Sequence, residues 1–154
     1  MTRTDQDHQA RLKAVGLRVT AARLAVLEAL AADGHLGADQ VAKAVRGKLG
    51  AVATQTVYDA LATLTEHGLI HQIEPAGHSR LFEGRTADNH HHVICRRCHR
   101  IEDVDCAVGY TPCLEASDSH GFSIDQAEVI YWGVCPQCQT RGRQGAKPGA
   151  RASS

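Results

Sequence analysis

TQTVYDALATLTEHGLIHQIEPAGHSRLFE, residues 54–83, changes its hydrophobic period halfway along. In its first half Val57, Leu61 and Leu64 recur at helical spacing, so a helix is expected to start near Thr54 and to stop at Gly68. Leu69 to Glu74 is apolar enough for a strand. Pro75-Ala76-Gly77-His78 has turn chemistry, and Arg80-Leu81-Phe82 is suited to the returning strand.

Upstream, the pattern predicts three more helices. A polar one runs over about residues 5–15 and ends at Gly16. A second is capped by Thr20, carries Leu24, Leu27 and Leu30 at helical spacing, and stops at Asp33-Gly34. A third runs from about Ala38 to Gly47 with Val41, Ala44 and Val45 inward. Helices followed by a β-hairpin give the order of a winged helix-turn-helix, with the residue 54 helix as the recognition helix. Its outer face would present Gln55, Thr56, Tyr58, Asp59 and Thr63. Gln and Tyr side chains reach bases or phosphates, and a helix N-terminus favours phosphate. A small helical domain with a merely solvated polar face fits the same pattern, and the pattern alone leaves both open.

The second half carries a different chemistry. Cys95-Arg96-Arg97-Cys98 and Cys135-Pro136-Gln137-Cys138 are two Cys-x-x-Cys knuckles, and four thiolates close a tetrahedral zinc site with no position to spare. The 36 residues between Cys98 and Cys135 exceed a plain zinc ribbon and imply substructure between the knuckles. Arg96, Arg97 and Arg100 stand close enough in sequence to offset thiolate charge. The competing reading is a pair of redox-active dithiols. Strands are expected over His90–Cys95, Ile101–Cys106 and Val129–Val134, and a short helix over Thr111–His120. Alternation along the first strand puts His90 and His92 on one face and His91 on the other. With Asp103 returning beside them, they offer nitrogen and oxygen donors suited to iron(II), manganese(II) or zinc(II). A solvated His-x-His pair is the plainer alternative.

Bulk properties set limits. The 154 residues suffice for one ordinary domain or two small ones, and with 4% aromatic residues a metal staple would help a small core. Zero formal net charge gives no argument for nucleic acid. Arg11, Lys13, Arg18 and Arg23 nonetheless make an acid-free basic stretch over residues 8–27, and residues 141–154 read as a disordered basic tail. There is no apolar run of membrane-spanning length and no signal-like N-terminus, so a cytoplasmic location with reduced cysteines is expected.

In combination these pieces resemble the ferric uptake regulator (Fur) superfamily of metal-dependent repressors. The resemblance lies in Gly16-Leu17-Arg18-Val19-Thr20-x-x-Arg23, Thr56-Val57-Tyr58, His90-His91-His92-Val93-Ile94-Cys95-x-x-Cys98 and Tyr131-Trp132-Gly133-Val134-Cys135-x-x-Cys138. Asp88-Asn89-His90-His91-His92, Asp103 to Gly109 and Ala127 to Trp132 are further similar to the actinobacterial FurA/CatR type, which is akin to the peroxide sensor PerR.

The resemblance implies an α+β fold: a winged-helix DNA-binding domain over residues 1–84, a hinge at 85–89, and a small α/β dimerisation domain over 90–140 with the four-cysteine zinc site. It implies structural zinc at Cys95, Cys98, Cys135 and Cys138, and regulatory iron(II) or manganese(II) at His35, Glu83, His90, His92 and Asp103. It also implies DNA contacts from Arg18, Arg23, Gln55, Thr56 and Tyr58, and a homodimer on an A/T-rich inverted repeat. A further metal position known in some members would fall on Asn89, His91, Tyr110 and Ala127. Three of these lack a good donor, so that position is expected to be absent.

For function the resemblance implies a repressor of catalase-peroxidase or other oxidative-stress genes, released when peroxide oxidises an iron-ligating histidine, His35 or His90. Asp103 suits peroxide sensors and Glu83 suits iron sensors, so an iron- or zinc-homeostasis repressor stands as the alternative. Cys106 and Cys113 are either buried small residues or a reversible thiol pair. An enzyme is disfavoured, because the two knuckles leave no open zinc position and no His-Glu-x-x-His pattern supplies a general base.

Overall fold

The computed structural model describes residues 3–88, 90–105, 116–124 and 127–144. The fold is α+β and divides into two compact units, Met1–Asp88 and Asn89–Ser154.

The first unit contains α1 (Arg3–Ala14), α2 (Ala21–Asp33), β1 (His35–Gly37), α3 (Ala38–Leu49), α4 (Thr54–Glu66), β2 (His71–Ile73) and β3 (Leu81–Glu83). Local chemistry sets most of the helix ends. The Thr20 hydroxyl accepts from the Arg23 N–H at 3.3 Å and caps α2. Gly34 closes α2 in a left-handed conformation, φ 72°. The Gln40 side chain accepts from the Gly37 N–H at 2.9 Å at the start of α3. Arg46 spans the turn into α4, donating to the Val52 carbonyl at 3.2 Å and to the Thr54 hydroxyl at 2.6 Å.

One core joins these helices. Leu12, Val26, Leu30, Val41, Val45, Val57, Leu61 and Leu64 are each at most 2% exposed, so every helix turns an apolar stripe onto the others. α3 departs from expectation in two ways. It continues through Gly47 to Leu49 and is closed by Gly50. The inward residue beside Val41 is Ala42, while Ala44 faces solvent. One glycine costs a helix only about 1 kcal/mol, too little to end one whose next turn is packed.

The wing has a third strand that the sequence pattern does not reveal. The sheet order is β1-β3-β2, all antiparallel. Glu83 lies opposite His35 on one side and opposite His71 on the other.

The second unit contains β4 (His91–Cys95), β5 (Ile101–Val104), β6 (Ile130–Gly133) and α5 (Pro136–Gln144). Its sheet order is β5-β4-β6, with β4 antiparallel to β5 and parallel to β6. α5 has no counterpart among the elements the sequence pattern predicts. Pro136 opens it, at the position where a missing N–H costs nothing, and it carries helix through Gln144, into the stretch expected to be tail. Of the helix expected over 111–120, residues 111–115 lie outside the described residues and 116–120 are not helical.

Candidate metal centres and nucleic-acid face

Two turns bring the four cysteines together. The first knuckle leaves β4 at Cys95 and returns at Arg100, whose carbonyl accepts from the Cys95 N–H at 2.9 Å. His99 sits in the left-handed region at φ 62°, and its N–H closes the turn onto the Cys95 carbonyl at 3.0 Å. The second knuckle puts Cys135 after β6 and Cys138 in the first turn of α5. The sulfurs of Cys95, Cys98, Cys135 and Cys138 all lie within 4.8 Å of one another. Cys98 and Cys135 are 3.6 Å apart, and sulfurs bound tetrahedrally to one zinc stand about 3.8 Å apart. The donor set and its spacing therefore fit zinc.

The thiols are electrostatically unequal. N–H donation from Cys135 foremost, then from Cys98, lowers the Cys95 thiol to about 5. The neighbouring sulfurs of Cys135 and Cys98, followed by burial, raise the Cys138 thiol to about 12. Four thiols cannot all ionise at close range without a cation, and a bound dication removes that obstacle.

The arginines divide their tasks. Arg97 donates to the Cys138 carbonyl at 3.0 Å and anchors α5. Arg96 lies 5.4 Å over the Trp132 ring. Arg100 pairs first with Glu102 at 2.6 Å, and it is also drawn, more weakly, to Cys135 and Cys98.

On the same sheet His92 pairs in register with Asp103. The Asp103 carboxylate is 3.6 Å from His92 Nε2 and 3.9 Å from His90 Nε2, and the two rings lie 4.9 Å apart. His90 and His92 are 6% and 3% exposed. His91 points to the other face, against the Tyr131 ring.

In the winged-helix unit, His35 Nε2 is 2.9 Å from one oxygen of Glu83, and His71 Nδ1 is 3.4 Å from the other. Glu83 is only 1% exposed. His35 and Glu83 are among the residues expected from sequence; His71 is not. The available signal for it was register: a strand residue opposite a buried carboxylate on the next strand.

The predicted DNA face is largely open. Arg18, Gln55, Thr56 and Tyr58 are exposed or half-exposed, and Arg23 is half-buried. Arg23 donates to the Arg18 carbonyl at 2.7 Å, so it shapes the turn before α2. Gln55 donates to Asp59 at 2.7 Å, and the Tyr58 hydroxyl stands 3.5 Å from Asp39. Thr20, Arg23, Thr56, Asp59 and Thr63 line a recess of about 180 Å³ between α2 and α4. Cys106, Cys113, Asn89 and Tyr110 lie outside the described residues. Among the described residues no helix is long and apolar enough to cross a membrane.

Comparison with known proteins shows the family. Residues 14–132 match the model of the Ferric uptake regulator family. The chain is 52% identical over 132 residues to the transcriptional regulator FurA of Mycobacterium tuberculosis, covering 86% of this chain and 90% of that one. It is 32% identical over 136 residues to the peroxide operon regulator of Bacillus subtilis, covering 84% and 90%. The structure of the Campylobacter jejuni peroxide stress regulator superposes with a TM-score of 0.68 at 26% identity, covering 90% of this chain and all of that one. The chain belongs to the Ferric uptake regulator family and is a metal-responsive transcriptional regulator, not an enzyme.

Proposed function

We propose that the chain is a homodimeric, metal-dependent repressor of oxidative-stress genes that releases its operator when peroxide oxidises one of its own histidines. As domain roles we propose DNA binding over residues 1–84, a hinge at 85–89, and dimerisation over 90–140. The observation that carries the proposal is that nitrogen and carboxylate donors come together in both units, with Glu83, His90 and His92 buried, His35 half-buried and Asp103 exposed. His35 stands on Glu83 in one, and His90 and His92 stand on Asp103 in the other.

Each set alone is short of the six donors that iron(II) or manganese(II) ordinarily takes from nitrogen, carboxylate and water. As regulatory ligands we propose His35, Glu83, His90, His92 and Asp103 together. A cation drawing on both sets fixes one orientation of the winged-helix unit, and the free energy of binding it becomes a bias toward the DNA-competent dimer. Zinc at Cys95, Cys98, Cys135 and Cys138 has the structural part. It ties β4, β6 and α5 into one piece and so holds His90 and His92 in place.

When bound, iron(II) would activate peroxide, and in the net reaction one H2O2 gives one oxygen to a histidine ring and leaves as water, the ring supplying the two electrons. The rest belongs to the chain. An oxygen added to the His35 or His90 ring withdraws a donor, the shared coordination fails, and the bias toward DNA binding is lost. On DNA, Gln55, Thr56 and Tyr58 from α4 face the major groove. Arg18 and Arg23 meet phosphate or the minor groove of an A/T-rich inverted repeat. The tuberculosis relative's name carries no stimulus, whereas the Bacillus and Campylobacter relatives are named for peroxide. A metal-level sensor of iron or zinc is the second reading, and the buried Glu83 favours it.

Fluorescence anisotropy on an inverted-repeat duplex tests the metal requirement. Zinc-loaded protein should bind tightly only after manganese(II) is added, and Asp103→Ala should lose that response while retaining its zinc. Equal affinity with and without manganese(II) would overturn the proposal.

A further inference from the structure

The helix proposed to enter the major groove, α4, carries no arginine or lysine anywhere over Thr54–Glu66. It therefore lacks the side chains that make the commonest contact to guanine. What it presents instead is an acid. Asp59 is exposed on the same face as Gln55, one helical turn further on. It also lines the recess between α2 and α4, together with Thr20, Arg23, Thr56 and Thr63.

An acid at this place needs a reason. DNA carries a phosphate charge about every 1.7 Å along its axis, and a carboxylate brought toward it is repelled. The helix itself offers no reason. Asp39 stands in the first turn of α3, where the positive end of the helix dipole favours it, but that effect is confined to the first turn. Asp59 lies past the first turn of α4. Arg23, on the wall of the same recess, donates to the Arg18 carbonyl at 2.7 Å.

Gln55 decides what the carboxylate can do. A carboxylate only accepts hydrogen bonds, so the 2.7 Å contact is a donation from the Gln55 amide to one Asp59 oxygen. That bond steadies the carboxylate and leaves its second oxygen as an acceptor. The donors that bases show in the major groove are the exocyclic amines, cytosine N4 and adenine N6, and an acid is the usual partner of cytosine N4. Guanine O6 or thymine O4 at the same place would meet the carboxylate acceptor to acceptor.

We propose that Asp59 reads a base: its carboxylate, held by Gln55, accepts from the N4 amine of one cytosine in each half-site of the operator. The inference rests on the reading of α4 as the recognition helix. It adds that α4 selects sequence through an acceptor, with repulsion of guanine and thymine carbonyls supplying part of the discrimination. Arg18 and Arg23 then hold the backbone while α4 reads.

The test is selection from duplexes with a randomised inverted repeat, using the full zinc-loaded chain with manganese(II). Fluorescence anisotropy on single-base-pair variants of the selected site follows. The native chain should favour cytosine at one position of each half-site by about 5- to 150-fold, the worth of one good base contact. Asp59→Ala should level that preference and leave the other positions as they were. Gln55→Ala should keep cytosine favoured there. Zinc content and far-UV circular dichroism establish that each variant is folded.

If Asp59→Ala strengthens binding to all duplexes alike and every preference survives, the acid is a general repellent of DNA and the inference fails. A preference lost for a base other than cytosine, or lost equally with Gln55→Ala, would also overturn the assignment. In each of these cases a weaker operator complex with Tyr58→Ala keeps α4 as the recognition helix. If neither Asp59→Ala nor Tyr58→Ala changes selection or affinity, the recognition-helix reading falls as well.

Discussion

The Cys95 sulfur receives the Cys135 N–H at 3.3 Å, and that donation foremost lowers its thiol to about 5. Cys138, crowded by the sulfurs of Cys135 and Cys98, stands at about 12. In the metal-free chain the ultraviolet thiolate absorbance should therefore rise through a step centred at about 5, and Cys95→Ser should remove that step. A first thiolate step appearing only near about 8.5, the ordinary value for cysteine, would contradict it. Among the predicted DNA contacts, Tyr58 is 42% exposed and Arg18 is exposed. Arg18→Ala should weaken binding to all duplexes alike and reduce the slope of log affinity against log salt by about 1. Tyr58→Ala should cost about 1–3 kcal/mol on the operator alone, if it reads a base. An unchanged salt slope in the first, or an equal loss on random DNA in the second, would reassign those side chains to packing.

At the scale of elements, α1 carries a buried histidine that no proposed site uses. His8 is 5% exposed and its pKa is lowered by burial first and Arg11 second, against weaker opposing pulls from Glu28, Asp5 and Asp7. The unfolded chain therefore takes up a proton near 6.5 that the folded chain refuses. The stability present above that pH is lost as pH falls below it. Urea unfolding at neutral and mildly acidic pH should show the native chain losing more stability on acidification than His8→Leu; parallel losses would contradict this. Thr20→Ala should cost about 1 kcal/mol through its α2 cap.

Such local signals made the helices legible. Caps, glycine stops and a period near 3.6 are all contained within about a dozen residues, and Val57, Leu61 and Leu64 are buried as their spacing requires. Three-residue β1 has too few positions to display a period, and its partner β3 is far away in sequence, so only pairing reveals it. α5 is polar throughout and has no apolar stripe to read; Pro136 at its first position was the one signal. The cysteines were legible as a set because knuckle spacing is itself the geometry. His71 was not, because its tie to Glu83 is made by register across the hairpin.

At the scale of the whole molecule, two units carry separate donor sets, and regulation is the question of what couples them. The coupling free energy in such systems is typically about 1–3 kcal/mol, or about 5- to 150-fold in affinity. That is the range in which manganese(II) should act on operator binding. Structural zinc should be neutral in this respect until it is stripped, because its four sulfurs all lie in the second unit. The measurement that bears most directly on the proposed mechanism is operator retention by zinc-loaded protein carrying iron(II) or manganese(II), each with and without a low dose of hydrogen peroxide. Mass spectrometry of the peptides holding His35 and His90 should accompany it. The account predicts release from the iron form alone, with one added oxygen on His35 or His90. Retention of DNA by the peroxide-treated iron form, with both histidines unmodified, would contradict it.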